Sequence, residues 1–409
     1  MGVSHPVVHI NMLGNMGNRM MQFMTAHAIA SRVPGCQISN LRIPEFDLFY
    51  REIPHQGEYK ISIEPHQEKF SAGLVNIPDI SSLLRIGELK RLELSGYCQN
   101  VGNFSDQKLY QSIFLSPISD AVGFGVDDLV INIRMGDIVN GHHKDYIVLP
   151  VDFYLEVVKA TGLRPVFLGQ LEDNAYLRDL RAAFPEAQFI SSRGAKHDFE
   201  CIRRSKNILL AISTFSWMAA WLSNAERIFM PVAGMFHPRQ HPWSNLLPLG
   251  DRRYSYYLFP IHHAVPVDEV KERHSLLRGL WRQLTEQHLK DLASGPRYPR
   301  QKSDYLRVYD EEYYQRAHRD VRESVQFNGL PSGLTHYVAT GYDEERNAIE
   351  IDEEWYFRTY LMAAIEVGQG DYLDAAHHYA AIGAARGYHP MPMDGRQEYE
   401  RVQTNHAAQ

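Results

Sequence analysis

The chain has 409 residues, 44% of them hydrophobic and 22% charged, a balance that excludes a disordered or collagen-like chain. Its length allows two or three domains of roughly 100 to 200 residues each and a core that needs no disulfide staples. The 42 Lys and Arg against 49 Asp and Glu give a formal charge of −7, without the polybasic run of a nucleic-acid or anionic-membrane binder.

Val7 to Ile10 reads as a short strand, the Gly- and Asn-rich stretch 11–18 as a loop, and residues 20–33, Met-rich and apolar at helical spacing, as a helix. This is the opening of an α/β unit. Residues 40–120 are less regular and broken by Pro, and place few elements. From Asp128 short apolar runs at 129–133, 165–168, 188–190, 208–212 and 227–230 read as strands. Residues 151–161, 173–184, 198–205 and 215–222 between them read as helices. Such alternation predicts doubly wound parallel sheets in an α/β fold, as two facing Rossmann-like units at 1–125 and 126–294.

Residues 268–294 carry Leu276, Leu277, Leu280, Trp281, Leu284 and Leu292 at helical spacing, which predicts one amphipathic helix closing the second unit. Gly295, Pro296 and Pro299 mark 295–305 as a linker. A small, mainly helical module follows at 306–390, because Asp310-Glu311-Glu312-Tyr313-Tyr314 recurs 42 residues later as Asp352-Glu353-Glu354-Trp355-Tyr356. At the same offset His336-Tyr337 and Gly341 recur as His378-Tyr379 and Gly383. The two histidines read as satisfied structural groups or as ligands. Residues 391–409 read as a flexible tail, and 301–409 together carry about −9 of the charge.

Cys36, Cys98 and Cys201 are widely spaced, form no CxxC, and read as buried free thiols of a reducing compartment. No apolar stretch approaches a membrane span of roughly 20 residues, and the N-terminal residues lack a signal-peptide core. The cytoplasm, including the inner face of the membrane, is the expected location.

Three stretches carry chemistry. Gly14-Asn15-Met16-Gly17-Asn18-Arg19 lies between strand and helix, where glycines admit a ligand close to the backbone and helix N–H groups attract an anion; a plain turn is the alternative. Arg134 follows the strand at 129–133, the end of an open sheet where ligands bind, and suits a diphosphate or a surface pair with Asp137. Ser213, Thr214 and Ser216 open an apolar helix beside Phe215, and helix capping accounts for one of the three hydroxyls.

These pieces resemble the alpha-1,2-fucosyltransferases, family 11 of the glycosyltransferases, within a wider group of GT-B type fucosyltransferases. Residues Met16 to Phe23 are similar to the family's LGNQMFQY motif, Gly96-Tyr97-Cys98-Gln99 to its GYFQ segment and Asn132 to Asp137 to its HxRRGD segment. Asp198-Phe199 and Ser213 to Leu222 are similar to its D-F and STFSWWAAWL region. The tail repeat resembles modules attached to bacterial surface-polysaccharide glycosyltransferases, which makes other polysaccharide-assembly proteins candidate partners of 306–390.

The resemblance implies a GDP-fucose donor, an oligosaccharide or polysaccharide acceptor in O-antigen or capsule synthesis, inversion at the anomeric centre, and no metal or other cofactor. Arg134 would neutralise the diphosphate, with Ser213, Thr214, Phe215 and Ser216 around it. Gly17, Asn18 and Arg19 would approach from the facing unit, and Asp198 would meet the nucleoside or cap the following helix. The family's His is Asn132 here and its second Arg is Met135, so Arg19 is a candidate for the lost charge. Asp137, His142, His143 and Asp145 are the candidate general bases, with Asp137 and His143 preferred. Another nucleotide-sugar donor, or a non-catalytic carbohydrate-binding or assembly protein on this fold, are the competing readings.

Overall fold

Parallel strands dominate the structure, a computed structural model in which residues 5–54, 60–63, 73–104, 106–115, 120–138, 143–327 and 329–392 are described. The chain divides into two compact units, Met1–Phe259 with Ala264–Leu289, and Pro260–His263 with Lys290–Gln409. The expected half 1–125 falls in the first unit, as does 126–294 except for 260–263 and 290–294, which fall in the second unit with the stretch expected as a linker.

The first sheet is built from β1 (Val7–Ile10), β2 (Gln37–Ser39), β5 (Lys60–Ile63) and β6 (Arg91–Leu94) in the order β2-β1-β6-β5, all parallel. A small antiparallel hairpin, β3 (Leu41–Ile43) and β4 (Leu48–Tyr50), lies between β2 and β5 in the chain. Helix α1 (Met16–Ala30) starts four residues before the expected segment, and ten of its 15 residues are buried. Four of those are methionines, whose unbranched side chains fill irregular space. Helices α2 (Ile77–Ile86) and α3 (Gln107–Ile113) complete this half.

The second sheet holds β7 (Asp128–Ile133), β8 (Arg164–Gly169), β9 (Gln188–Ser191), β10 (Asn207–Leu209), β11 (Arg227–Val232), β12 (Tyr254–Leu258) and β13 (Arg282–Leu284). Its order is β13-β12-β11-β10-β7-β8-β9, parallel except for β13. Counted from β7, the parallel strands run 3-2-1-4-5-6, the order of a doubly wound dinucleotide-type sheet. β7 is central, which is why five of its six residues are buried and it reads as an unbroken apolar run. Helices α4 (Val151–Thr161), α5 (Ala175–Ala183), α6 (Ala195–Arg203) and α7 (Thr214–Trp221) connect the strands.

The closing segment differs from expectation. In place of one helix over 268–294 there are α8 (Val270–Leu277), the edge strand β13 and α9 (Glu286–Ser294). Gly279, at φ +70°, takes the left-handed conformation that ends a helix, so Leu276 and Leu280 stay partly exposed while Leu277 and Trp281 are buried.

In the second unit α10 (Lys302–Arg307) precedes two copies of one motif. Copy one is α11 (Glu311–Ala317), α12 (Arg319–Gln326) and α13 (Gly333–His336), the last running into a π-helical turn at Tyr337–Gly341. Copy two is α14 (Glu353–Thr359), α15 (Leu361–Gly368) and α16 (Ala375–His378), with its π turn at Tyr379–Gly383. Asp310 and Asp352 cap the first helix of each copy. The repeat's invariants explain one another: Tyr314 Oη bonds His336 Nδ1 at 3.0 Å and Tyr356 Oη bonds His378 Nδ1 at 2.8 Å. A Cβ at Gly341 or Gly383 would collide with that same tyrosine hydroxyl. Ile261 belongs to the buried cluster of Tyr356, Phe357, Ala363 and Val367, and its N–H donates to Ala364 O at 3.0 Å. No helix among the described residues is long and apolar enough to cross a membrane.

Candidate active site

In a doubly wound sheet ligands settle at the carboxyl ends of the strands where the strand order reverses. The reversals fall between β1 and β6 in the first sheet and between β7 and β10 in the second. The residues following all four strands line one cleft of about 700 Å³, a volume suited to a nucleotide-sized ligand.

On the first side the wall is the loop after β1, the start of α1 and the segment after β6. Gln22, fully buried, pins them: its Nε2 donates to Gly96 O at 2.7 Å and its Oε1 accepts from Leu13 N at 3.2 Å. Asn18 Oδ1 accepts from Gln99 Nε2 at 3.1 Å, so two motifs 81 residues apart form one surface. Arg19 is half-buried and lines the cleft, its Nε–H donating to Gly14 O at 2.9 Å.

On the second side Arg134 follows β7, and Ser213 caps α7, its Oγ accepting from Phe215 N at 3.2 Å. Thr214 and Phe215 line the cleft beside them. Gly17 joins the two sides. A Cβ there would stand 2.8 Å from Thr214 C and 2.9 Å from Phe215 N, so α1 approaches α7 as only glycine permits. Val101 N donates to Asn245 O, and Asn245 N to Gln99 O, each at 2.8 Å, tying the β6 segment to the chain after β11.

Two expected donor contacts do not line this cleft. Ser216 is fully buried and its Oγ accepts from Ala211 N at 3.1 Å, holding the turn between β10 and α7. Asp198 lies inside α6 rather than at its cap, which is Gly194, and its buried carboxylate accepts from Arg193 N at 3.0 Å. Asn132 and Met135 are buried as well: Asn132 Nδ2 donates to Leu168 O at 3.0 Å, and Met135 is fully enclosed. The position where an arginine was missed is therefore a core position.

Of the proposed bases, His143 is exposed and lines the cleft. His142 and the Asp137 side chain lie outside the described residues. Asp145 is buried and accepts from Gln240 Nε2 and from His241 Nδ1, each at 3.0 Å. His241 lines the cleft together with Glu45, Tyr97, Tyr146 and Trp243. Sequence reasoning missed His241, since the stretch 234–249 has no periodicity and its partner is 96 residues away. Cys98 lines the cleft too, but burial pushes its thiol up to about 12, which removes it as a nucleophile. Among the described residues no group of three His, Cys, Asp or Glu is placed to hold a metal ion.

No family model matches the chain, and no curated protein matches it. Solved structures that overlap with part of it include three glycosyltransferases. The iron-containing dodecameric glycosyltransferase TibC of enterotoxigenic E. coli is 12% identical at a TM-score of 0.31, over 56% of this chain and 58% of its own. A mutant of Arabidopsis thaliana FUT1 in complex with GDP is 12% identical at 0.35, over 56% and 70%. The E. coli heptosyltransferase WaaC with ADP is 10% identical at 0.29, over 55% and 86%. The chain thus spans less than two thirds of the first of these.

Proposed function

We propose that the protein is an inverting glycosyltransferase of GT-B type that moves L-fucose from GDP-fucose to a hydroxyl of a glycan acceptor, in the synthesis of a bacterial surface polysaccharide. One observation carries this reading: the carboxyl ends at both strand-order reversals open into a single cleft holding Arg134 and the N-terminus of α7. Arg134 and the N-terminal turn of α7 neutralise the departing diphosphate, the main electrostatic task of such a transfer, without a metal. Ser213 and Thr214 orient its oxygens. Gly17, Asn18 and Arg19 close on the donor from the other side. Among the described residues, Arg134 and Arg19 are the arginine or lysine side chains that line the cleft.

Calorimetric titration with GDP, UDP and CMP in EDTA tests this. Selective GDP binding supports the reading, selective UDP or CMP binding replaces the donor, and no binding to any of the three rejects it. The alternative is a carbohydrate-binding protein that kept the fold. A protein that binds GDP but releases none from GDP-fucose belongs to that alternative.

A further inference from the structure

His241 stands on a rigid turn. Its own N–H donates to His237 O at 2.8 Å, while His237 Nδ1 accepts from Arg239 N at 3.0 Å and from Gln240 N at 3.3 Å. Asp145, opposite it, is equally fixed: its carbonyl accepts from Met235 N at 2.8 Å and its other carboxylate oxygen from Gln240. The imidazole therefore meets the carboxylate through two anchored backbones. A carboxylate oxygen accepts hydrogen bonds, so in the neutral ring Nδ1 carries the hydrogen and Nε2 keeps its lone pair. Nε2 has no hydrogen-bond partner among the described residues, and the side chain lines the cleft. Trp243, two residues on, is 45% exposed on the same lining and offers the flat apolar face on which a sugar ring packs.

Resting on the reading above, we infer that His241, oriented by Asp145, is the general base of the transfer. Nε2 takes the proton of the acceptor hydroxyl as that oxygen bonds to the anomeric carbon. The bond from that carbon to the diphosphate breaks, and its electron pair leaves on the diphosphate oxygen. Asp145 stabilises the imidazolium that results and is a positioning residue, while His241 touches the acceptor. The loop after β7 supplies the carboxylate and the chain after β11 supplies the base, so the folded second sheet assembles the pair.

The test uses the full chain with GDP-fucose as donor and water as acceptor, following GDP release, with GDP affinity measured in parallel by calorimetry. For His241→Gln and His241→Ala the expected result is at least about a 100-fold loss of kcat, the contribution of a positioned base. GDP affinity stays within about threefold of wild type, because the base faces the acceptor rather than the diphosphate. Added imidazole restores turnover to His241→Ala, a rescue that a purely structural histidine does not give. Asp145→Asn loses less, about tenfold, in kcat with little change in KM. Retained kcat in His241→Gln, or a loss confined to His143→Gln, overturns the inference while leaving the transferase reading intact. Absence of GDP binding in the wild type rejects both.

Discussion

The second unit and the cleft use histidine in opposite ways. His336 is bonded on both nitrogens, Nδ1 to Tyr314 Oη at 3.0 Å and Nε2 to Thr340 Oγ1 at 3.3 Å. His378 is bonded likewise, to Tyr356 Oη and Glu366 Oε2, each at 2.8 Å. Among the described residues His241 is held on one nitrogen only. A ring saturated on both sides fixes a fold. One tethered on a single side, with the other facing a cleft, is held ready for a proton.

The largest effect expected from this contrast is loss of the second unit in acid. Burial pushes His377 down to about 4 and lowers His378 too, against the pull of Glu366. Since the folded pKa lies below the unfolded 6.5, the unfolded chain binds more protons. The stability is fully present above about pH 6.5 and is lost as pH falls toward 4, by about 3 kcal/mol for His377 alone. His274 in the first unit is also pushed to about 4 by burial, so the measurement must be local. Hydrogen exchange of the full chain, compared at about pH 7.5 and about pH 5 after correction for intrinsic rates, should show residues 353–384 losing protection. Unchanged protection there breaks the contrast from the structural side.

Arg134→Ala probes the functional side. Removing a charged donor from a diphosphate costs about 2 to 3 kcal/mol, or roughly 30- to 150-fold in GDP affinity. Equal affinity in the variant means that the cleft is not a nucleotide site. Gly383→Ala is the mirror experiment. Its Cβ would enter the space of Tyr356 Oη, destabilising the second unit by about 1 to 3 kcal/mol while GDP affinity stays at wild type.

Much of this was legible in the sequence, for identifiable reasons. β1 and α4 have the bounds that periodicity alone predicts, and β7 lies within one residue, because buried parallel strands and amphipathic helices write themselves as runs and stripes. The 42-residue repeat was legible because Tyr, His and Gly must recur together once the hydroxyl occupies the space a Cβ would need. The segment 268–294 was misread because leucine spacing outvoted Gly279. Ser216 and Asp198 were misread because a side chain satisfying its own helix entry has the spacing of one waiting for a ligand. The pair of Asp145 and His241 exists only in three dimensions.

The smallest effect expected is at Arg19, and it decides how the two sides of the cleft share the donor. Its guanidinium is already engaged, donating to Gly14 O at 2.9 Å and to Arg42 O at 3.4 Å, so part of the fork holds the loop rather than an anion. Arg19→Gln should therefore weaken GDP by about three- to tenfold, less than Arg134→Ala. Arg19→Lys separates the two contributions, because lysine keeps the charge but cannot reproduce the planar fork that grips both carbonyls. Wild-type affinity in the lysine variant assigns the effect to charge, and a loss equal to that of glutamine assigns it to the Gly14 loop. A loss at Arg19→Gln exceeding that at Arg134→Ala reverses the assignment and puts the diphosphate against the first sheet, with α7 left to the sugar.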